Sequence, residues 1–217
     1  LHIKKLTIAI DGPAGAGKGT LARHLAQHYN LAYLDTGLLY RALALKVLKN
    51  HTPPDNVNEI ESIAHTITLK NLEDTQLRHD DVAEIASKVS AHLPVRKALL
   101  ALQRNFARNP PQGFNGVVLD GRDIGTVVCP EADVKIYVTA QVEIRAKRRL
   151  KELQERGIKS IYSAVLQDMM NRDMRDSKRV EAPLKPALDA YVIDTTSLDP
   201  IEVFKTATAF IDQRLSA

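Results

Sequence analysis

Nine residues near the N-terminus, "GPAGAGKGT" from Gly12 to Thr20, restrict this chain more than any other stretch. They follow the apolar run "LTIAID" and pass directly into "LARHLAQHY", whose apolar residues recur at helical spacing. A strand, a glycine-rich turn and a helix start, in that order, make an anion cradle. Glycines reach the φ values that turn successive N–H groups inward, and the helix dipole favours negative charge. Gly12, Gly17 and Lys18 satisfy G-x-x-x-x-G-K in this context. Gly12, Pro13, Ala14, Gly15, Ala16, Gly17, Lys18, Gly19 and Thr20 are therefore expected to wrap the phosphates of a nucleoside triphosphate. The competing reading is an ordinary glycine turn. Gly19 stands where such loops usually carry a Ser or Thr ligand to Mg²⁺, and Thr20 comes one residue later, about 100° round the helix. Mg²⁺ is expected with the nucleotide and held through waters, with no protein ligand assigned.

The rest of the chain sets this loop in an α/β fold. Apolar runs at 6–11, 31–35, 116–120, 134–140 and 190–196 read as strands, continuous rather than alternating, as for strands buried on both faces. Helical stretches alternate with them, which implies a mostly parallel sheet covered by helices. Two segments break the alternation. Residues about 51–109 are nearly all helical, interrupted by a brief "TITL" (66–69), and residues about 156–186 are polar, basic and helical. The reading is one domain with a core of 1–36, 110–155 and 187–217, an insertion over about 37–109 and a lid over about 156–186. Both additions would lie over the sheet edge where ligands bind.

Composition narrows the partners. Aromatics are 5% and tryptophan is absent, so stacking platforms for single-stranded nucleic acid are not expected. The longest apolar run, "ALLAL" (98–102), is far too short to cross a bilayer. A single cysteine, Cys129, excludes an internal disulfide and fits a reducing cytoplasm; it is expected to be a small buried apolar residue. The net charge of +4 is unevenly spread, with eleven Lys/Arg against five Asp/Glu between Arg145 and Arg179. That excess suits a polyphosphate or a nucleic-acid backbone. The histidines show no metal-ligand spacing with the cysteine.

No N-K-x-D guanine-reading motif is present, and the length does not suit a motor or transporter ATPase. A small kinase remains. On its acceptor side, "LDTGLLYRALAL" places Thr36, Tyr40 and Arg41 at a strand end and in the first turns of a helix. Tyr40 and Arg41 read equally well as a core aromatic and a surface cation. "LDGRDIGT" ends a buried strand with Asp120, Arg122 and Asp123, charges that are costly there unless paired or ligand-bound. "NRDMRDSKR" spaces Arg172, Arg175, Asp176 and Arg179 three or four apart, one helical face with three guanidiniums. Arg175 alone also reads as a solvated cation.

Together "IDGPAGAGKGT", "LDTGLLYRAL", "LDGRDIGT" and "RDMRDSKRVEAPL" make the chain resemble the bacterial cytidylate kinases of the nucleoside monophosphate kinase group, from about Leu6 to Thr196. The resemblance implies a P-loop NTPase fold with a five-stranded parallel sheet, a monophosphate-binding insertion and a mobile lid. It implies ATP as donor, CMP and dCMP as acceptors, Lys18, Arg122, Arg172 and Arg179 as catalytic, and a cytoplasmic monomer using neither nucleic acid nor membrane. Thr36, Arg41, Arg122 and Arg179 would hold the CMP phosphate, with Tyr40 beside them. Ser87, Arg96 and Asp123 would read cytosine, and Arg172 and Asp176 the ribose. The family commonly has Ser where this chain has Thr36, which keeps the hydroxyl. Longer bacterial members carry a small antiparallel sheet in the insertion. Only about ten residues separate "TITL" from Asp80, so that sheet is expected to be reduced.

These residue types suit transfer to an anion. A phosphate is already a nucleophile and needs no base; the obstacle is bringing two anions together, which a lysine, Mg²⁺ and guanidiniums lessen. A shikimate-type kinase would need a base for its hydroxyl acceptor, and Asp35 is the one candidate. An adenylate kinase would need other base contacts. A nucleotide-dependent regulator binding nucleic acid through the basic segment is the alternative from another class.

Overall fold

All five apolar runs form strands: β1 (Leu6–Asp11), β2 (Ala32–Asp35), β3 (Gly116–Gly121), β4 (Val134–Thr139) and β5 (Tyr191–Asp194). The computed structural model describes residues 5–216. The first four residues of the expected core segment 1–36, and Ala217 of 187–217, lie outside the described residues. The strands make one sheet in the order β2-β3-β1-β4-β5. β1 pairs in parallel with β3, Leu6 opposite Gly116 and Asp11 opposite Gly121, and with β4, Asp11 opposite Tyr137. β5 continues the sheet in parallel beyond β4. All six residues of β3 and the last four of β1 are buried, which is why these strands read as unbroken apolar runs. The register sends the chain out at Gly12 and at Arg122 from neighbouring strands at one level of the sheet's carboxyl edge. The run at 190–196 shortens to four residues because Asp194 accepts the backbone N–H of Thr196 (2.8 Å), turning the chain out of the strand.

The chain divides into two units, residues 1–33 with 110–217 and residues 34–109. In the first, α1 (Lys18–Tyr29) and α8 (Pro200–Ser216) bury Leu21, Leu25, Val203 and Ile211 against Ile8, Ile10, Val118 and Ile136 of the sheet. A second cluster joins α6 (Val142–Glu155) to α7 (Tyr162–Ser177) through Ala146, Leu153, Val165 and Met169, and Ala14 of the glycine loop packs against it. Cys129 is half-buried rather than buried, because it lies where a short π turn, Ile124–Val128, opens toward the surface.

The second unit holds α2 (Thr36–Lys49), α3 (Val57–Ala64), α4 (Asp80–Val89) and α5 (Leu93–Arg108). Leu39, Leu43, Ile60, Leu77, Val89, Val95 and Leu99 are buried there. The stretch around "TITL" forms no strand. Its Thr68 opens a 3-10 helix, Leu69–Glu73, and a second, Thr75–Arg78, follows. Asn71 accepts the Thr68 N–H (2.9 Å) and Asp74 that of Gln76 (2.9 Å), so local side-chain bonds take the donors a ladder would need. Among the described residues no helix is long and apolar enough to cross a membrane.

Candidate active site

The glycine loop takes the conformations that its composition permits. Gly12, Gly15 and Gly17 have φ of 147°, 73° and 97°. A Cβ on Gly12 would lie 1.9 Å from the carbonyl oxygen of Val138, so β4 runs directly against the loop's start. Gly17 caps α1 in the left-handed region, where a Cβ would meet nothing within 4 Å. No side chain caps α1 and no acid stands in its first turn. Its first helical bond runs from Leu21 N–H to Gly17 C=O (3.1 Å), which leaves the N–H groups of Lys18, Gly19 and Thr20 ahead of the ladder. A helix start with three N–H groups ahead of its ladder, no side-chain cap and the positive end of its dipole fits a phosphate. The Lys18 ammonium is buried and donates to the carbonyl of Pro13 (2.7 Å) in the same loop.

Three carboxylates surround the ends of β1 and β3. Asp11 accepts the backbone N–H groups of Ile124 and Gly125, both at 2.7 Å, fastening β1 to the turn after β3. Burial pushes its carboxyl up to about 6. Those two hydrogen bonds oppose the rise, the Asp123 carboxylate adds to it and the Lys18 charge opposes it. Asp120 is buried and accepts the Tyr33 hydroxyl (3.1 Å). Asp123 is buried, and its carbonyl accepts the N–H groups of Val127 (2.9 Å) and Val128 (3.1 Å).

The expected charged face at 171–179 is divided. α7 ends at Ser177, so Arg179 lies beyond the helix, and Arg175 points to solvent. Asp176 is buried between two guanidiniums: Arg122 Nε donates to its Oδ2 (2.9 Å) and Arg179 Nη2 to its Oδ1. Burial alone would raise the Asp176 carboxyl, but the charges of Arg122, Arg179 and Arg172 outweigh it and hold the group below the usual range. Arg122 also donates to its neighbour's carbonyl, Gly121 (3.1 Å). The charges of three guanidiniums thus converge on one buried carboxylate, and guanidinium forks are groups that also suit a phosphate.

In the second unit Asp35 caps α2 by accepting the Gly37 N–H (2.9 Å), and Thr36 behind it is buried. Tyr40 and Arg41 are both half-buried, so they are not a core aromatic and a surface cation. Arg41 donates to the carbonyl of Leu77 (2.8 Å), and Tyr40 lies under the guanidinium of Arg96, 5.8 Å from the ring centre. Arg96 is buried and reaches the carbonyl of Ser90 (3.3 Å), while Ser90 bonds the carbonyl of the buried Ser87 (3.0 Å).

Gly12–Thr20, Arg122, Asp123, Arg172, Asp176 and Arg179 thus belong to the first unit. Thr36, Tyr40, Arg41, Ser87 and Arg96 belong to the second. The sequence reading missed the side chains that hold the outside of the loop. Arg145 donates to the carbonyls of Ala140 (2.8 Å) and Ala14 (3.2 Å) and makes a forked pair with Asp173 (3.1 and 2.6 Å). Thr195 donates to the carbonyl of Ala16 (3.0 Å) and receives Arg148 (3.0 Å). One signal could have found them: each follows closely on the end of a core strand, where side chains face the ligand edge of the sheet.

Comparison with known proteins gives the family. A family profile, Cytidylate kinase, matches residues 8–213. The chain is 55% identical to a cytidylate kinase of Paramagnetospirillum magneticum over 95% of its own length and 98% of that protein's. It is 50% identical to one from Mesorhizobium japonicum, over 97% and 95% respectively. Among solved structures, a sugar kinase from Janibacter sp. HTCC2649 superposes with a TM-score of 0.51 at 15% identity, covering 96% of this chain and 95% of that one; the likeness is one of fold.

Proposed function

This chain belongs to the cytidylate kinase family, and on that premise we propose that it moves the γ-phosphoryl group of ATP to CMP or dCMP, forming CDP or dCDP. The observation that carries the reading is the convergence of Arg122, Arg172 and Arg179 on the buried Asp176, in the same unit as a glycine loop that leads straight into a helix start without a side-chain cap. ATP phosphates would take the N–H groups of Gly12–Thr20 and the Lys18 ammonium. Thr36, Arg41, Arg122 and Arg179 would bind the acceptor phosphate, and Arg172 with Asp176 the ribose. The acceptor oxygen is already anionic, so no residue need take a proton. Arginine forks fix its line of approach and offset the repulsion between the two anions.

Mg²⁺ would enter with ATP and spread the charge of its phosphates. The donor set fits an ion held largely through waters, because Gly19 brings no side-chain oxygen where such loops usually carry a Ser or Thr. Asp123, with Ser87 and Arg96, would read the base. A carboxylate accepts from the N4 amino group of cytosine and a guanidinium donates to N3 or O2. Uracil reverses those groups and would leave acceptors facing each other, at roughly 1–3 kcal/mol each. Every proposed contact comes from one chain, which suits a monomer, and a reaction that consumes ATP in a chain with one thiol suits the cytoplasm.

Coupled-assay turnover of CMP, dCMP, UMP and AMP with MgATP tests the proposal. CMP and dCMP should react and UMP and AMP should lag by at least tenfold, and Asp123→Asn should narrow the CMP-to-UMP gap. Comparable turnover of AMP or UMP would overturn the assignment.

A further inference from the structure

A phosphate cradle works only if its peptide planes face the right way. In a trans peptide the C=O and the following N–H point in opposite directions. Whatever holds the carbonyl of residue i therefore aims the N–H of residue i+1. In this loop two alternate carbonyls are held from outside by side chains that the family comparison does not single out. Ala14 C=O accepts Arg145 Nη1 (3.2 Å), and Ala16 C=O accepts Thr195 Oγ1 (3.0 Å). The N–H groups turned away from these bonds belong to Gly15 and Gly17, both with positive φ.

Each holder is itself fixed. Arg145, 6% exposed, is pinned at the start of α6 by Ala140 C=O (2.8 Å) and forked onto Asp173 of α7. Thr195 is buried, receives Arg148 Nη1 on its hydroxyl (3.0 Å), and has its own N–H on Thr139 C=O (2.8 Å) while Arg148 Nη2 takes its carbonyl (2.6 Å). Accepting from Arg148 commits the hydroxyl proton of Thr195 outward, either to Ala16 C=O or to Thr139 C=O (3.2 Å). Packing agrees with this: a Cβ on Gly15 would meet Met169 Cε at 2.9 Å and Arg145 Cβ at 3.2 Å, so α6 and α7 close over the outer side of the loop.

We propose that Arg145, backed by Asp173, and Thr195, backed by Arg148, are positioning residues that hold the Ala14 and Ala16 carbonyls outward and so aim the Gly15 and Gly17 N–H groups at the triphosphate. The proposal rests on the reading of the loop as the ATP site. It assigns neither residue a contact with substrate. The Thr195 brace is a buried hydrogen bond and the Arg145 brace a part-buried one, and the loss of either would misdirect one donor, an effect of about tenfold in nucleotide affinity.

The test is calorimetric titration of MgATP and, separately, of CMP into the full-length protein and its Thr195→Val, Thr195→Ser and Arg145→Met variants, with amide NMR of Gly15 and Gly17. Thr195→Val and Arg145→Met should weaken ATP binding about tenfold and leave CMP binding within twofold. Thr195→Ser, which keeps the hydroxyl, should bind ATP like the parent. The Gly17 signal should shift in Thr195→Val, and the Gly15 signal in Arg145→Met. Unchanged ATP affinity in both folded variants overturns the proposal, as does equal weakening of ATP and CMP, or a Thr195→Ser as poor as Thr195→Val. If Arg145→Met does not fold, the threonine pair decides the matter alone. If the parent protein fails to bind ATP, the ATP reading falls, and unmoved Gly15 and Gly17 signals would then overturn the braces separately.

Discussion

At the residue scale, the pressing question is how a carboxylate survives burial at the end of β1. Asp11 has its carboxyl raised to about 6 although two backbone N–H groups point at it. The native state then holds a proton that the unfolded chain has released, so folding is fully supported below an unfolded pKa near 3.8 and loses support as the pH rises through 6. The loss is on the order of 3 kcal/mol. Asp176 behaves oppositely: its lowered carboxyl supports the fold above the ordinary carboxylate range and ceases to do so in stronger acid. In urea unfolding between pH 4 and 7, Asp11→Asn should gain stability relative to the parent as the pH rises; a constant difference across that range would mean Asp11 is ionised throughout. Residues of this kind were hard to read from sequence. "GPAGAGKGT", Arg122 and Asp176 were legible because glycine spacing and clustered charge report a backbone nest or an anion directly. Arg145 was not, because it opens "RAKRR", where one cation is buried and the rest are partly or fully exposed, and only the packing of α6 on α7 distinguishes it. Thr195 was not, because a threonine at a strand end has many uses until the loop carbonyl it meets is known.

At the element scale, the five strands were legible because burial on both faces demands unbroken apolar runs, and their true ends were set by features that periodicity ignores. Asp194 ends β5 through its own side chain, and Thr68 turns "TITL" into a 3-10 start. The same logic fixes the start of α2. Asp35 accepts the Gly37 N–H, the task of an N-cap, which asparagine performs as well as aspartate. Asp35→Asn should keep both melting temperature and turnover, while Asp35→Ala should lose about 1 kcal/mol of stability. A fall in Asp35→Asn turnover by orders of magnitude, measured with stability intact, would instead revive Asp35 as a base and a hydroxyl as acceptor.

At the scale of the whole molecule, the proposed contacts fall on two units of different construction. One is built on a parallel sheet and carries the glycine loop; the other, residues 34–109, is helical. Each substrate should therefore leave its own trace in hydrogen exchange. A non-hydrolysable ATP analogue alone should slow the amides of 12–20 and leave 87–96 as they were, whereas CMP alone should slow 87–96 and leave 12–20. Protection of both segments by either ligand alone would refute the division of labour. The loop also limits how the protein could be re-engineered. At Gly19 an added Cβ would stand 3.3 Å from Asp120 Oδ2, 3.4 Å from Arg23 Nη1 and 3.5 Å from the Tyr33 hydroxyl. A serine there would press its Cβ first against the Asp120 carboxylate. A designer seeking tighter cation control would have to let the Asp120 carboxylate give way by a few tenths of an ångström, and with it the hydrogen bond it accepts from Tyr33.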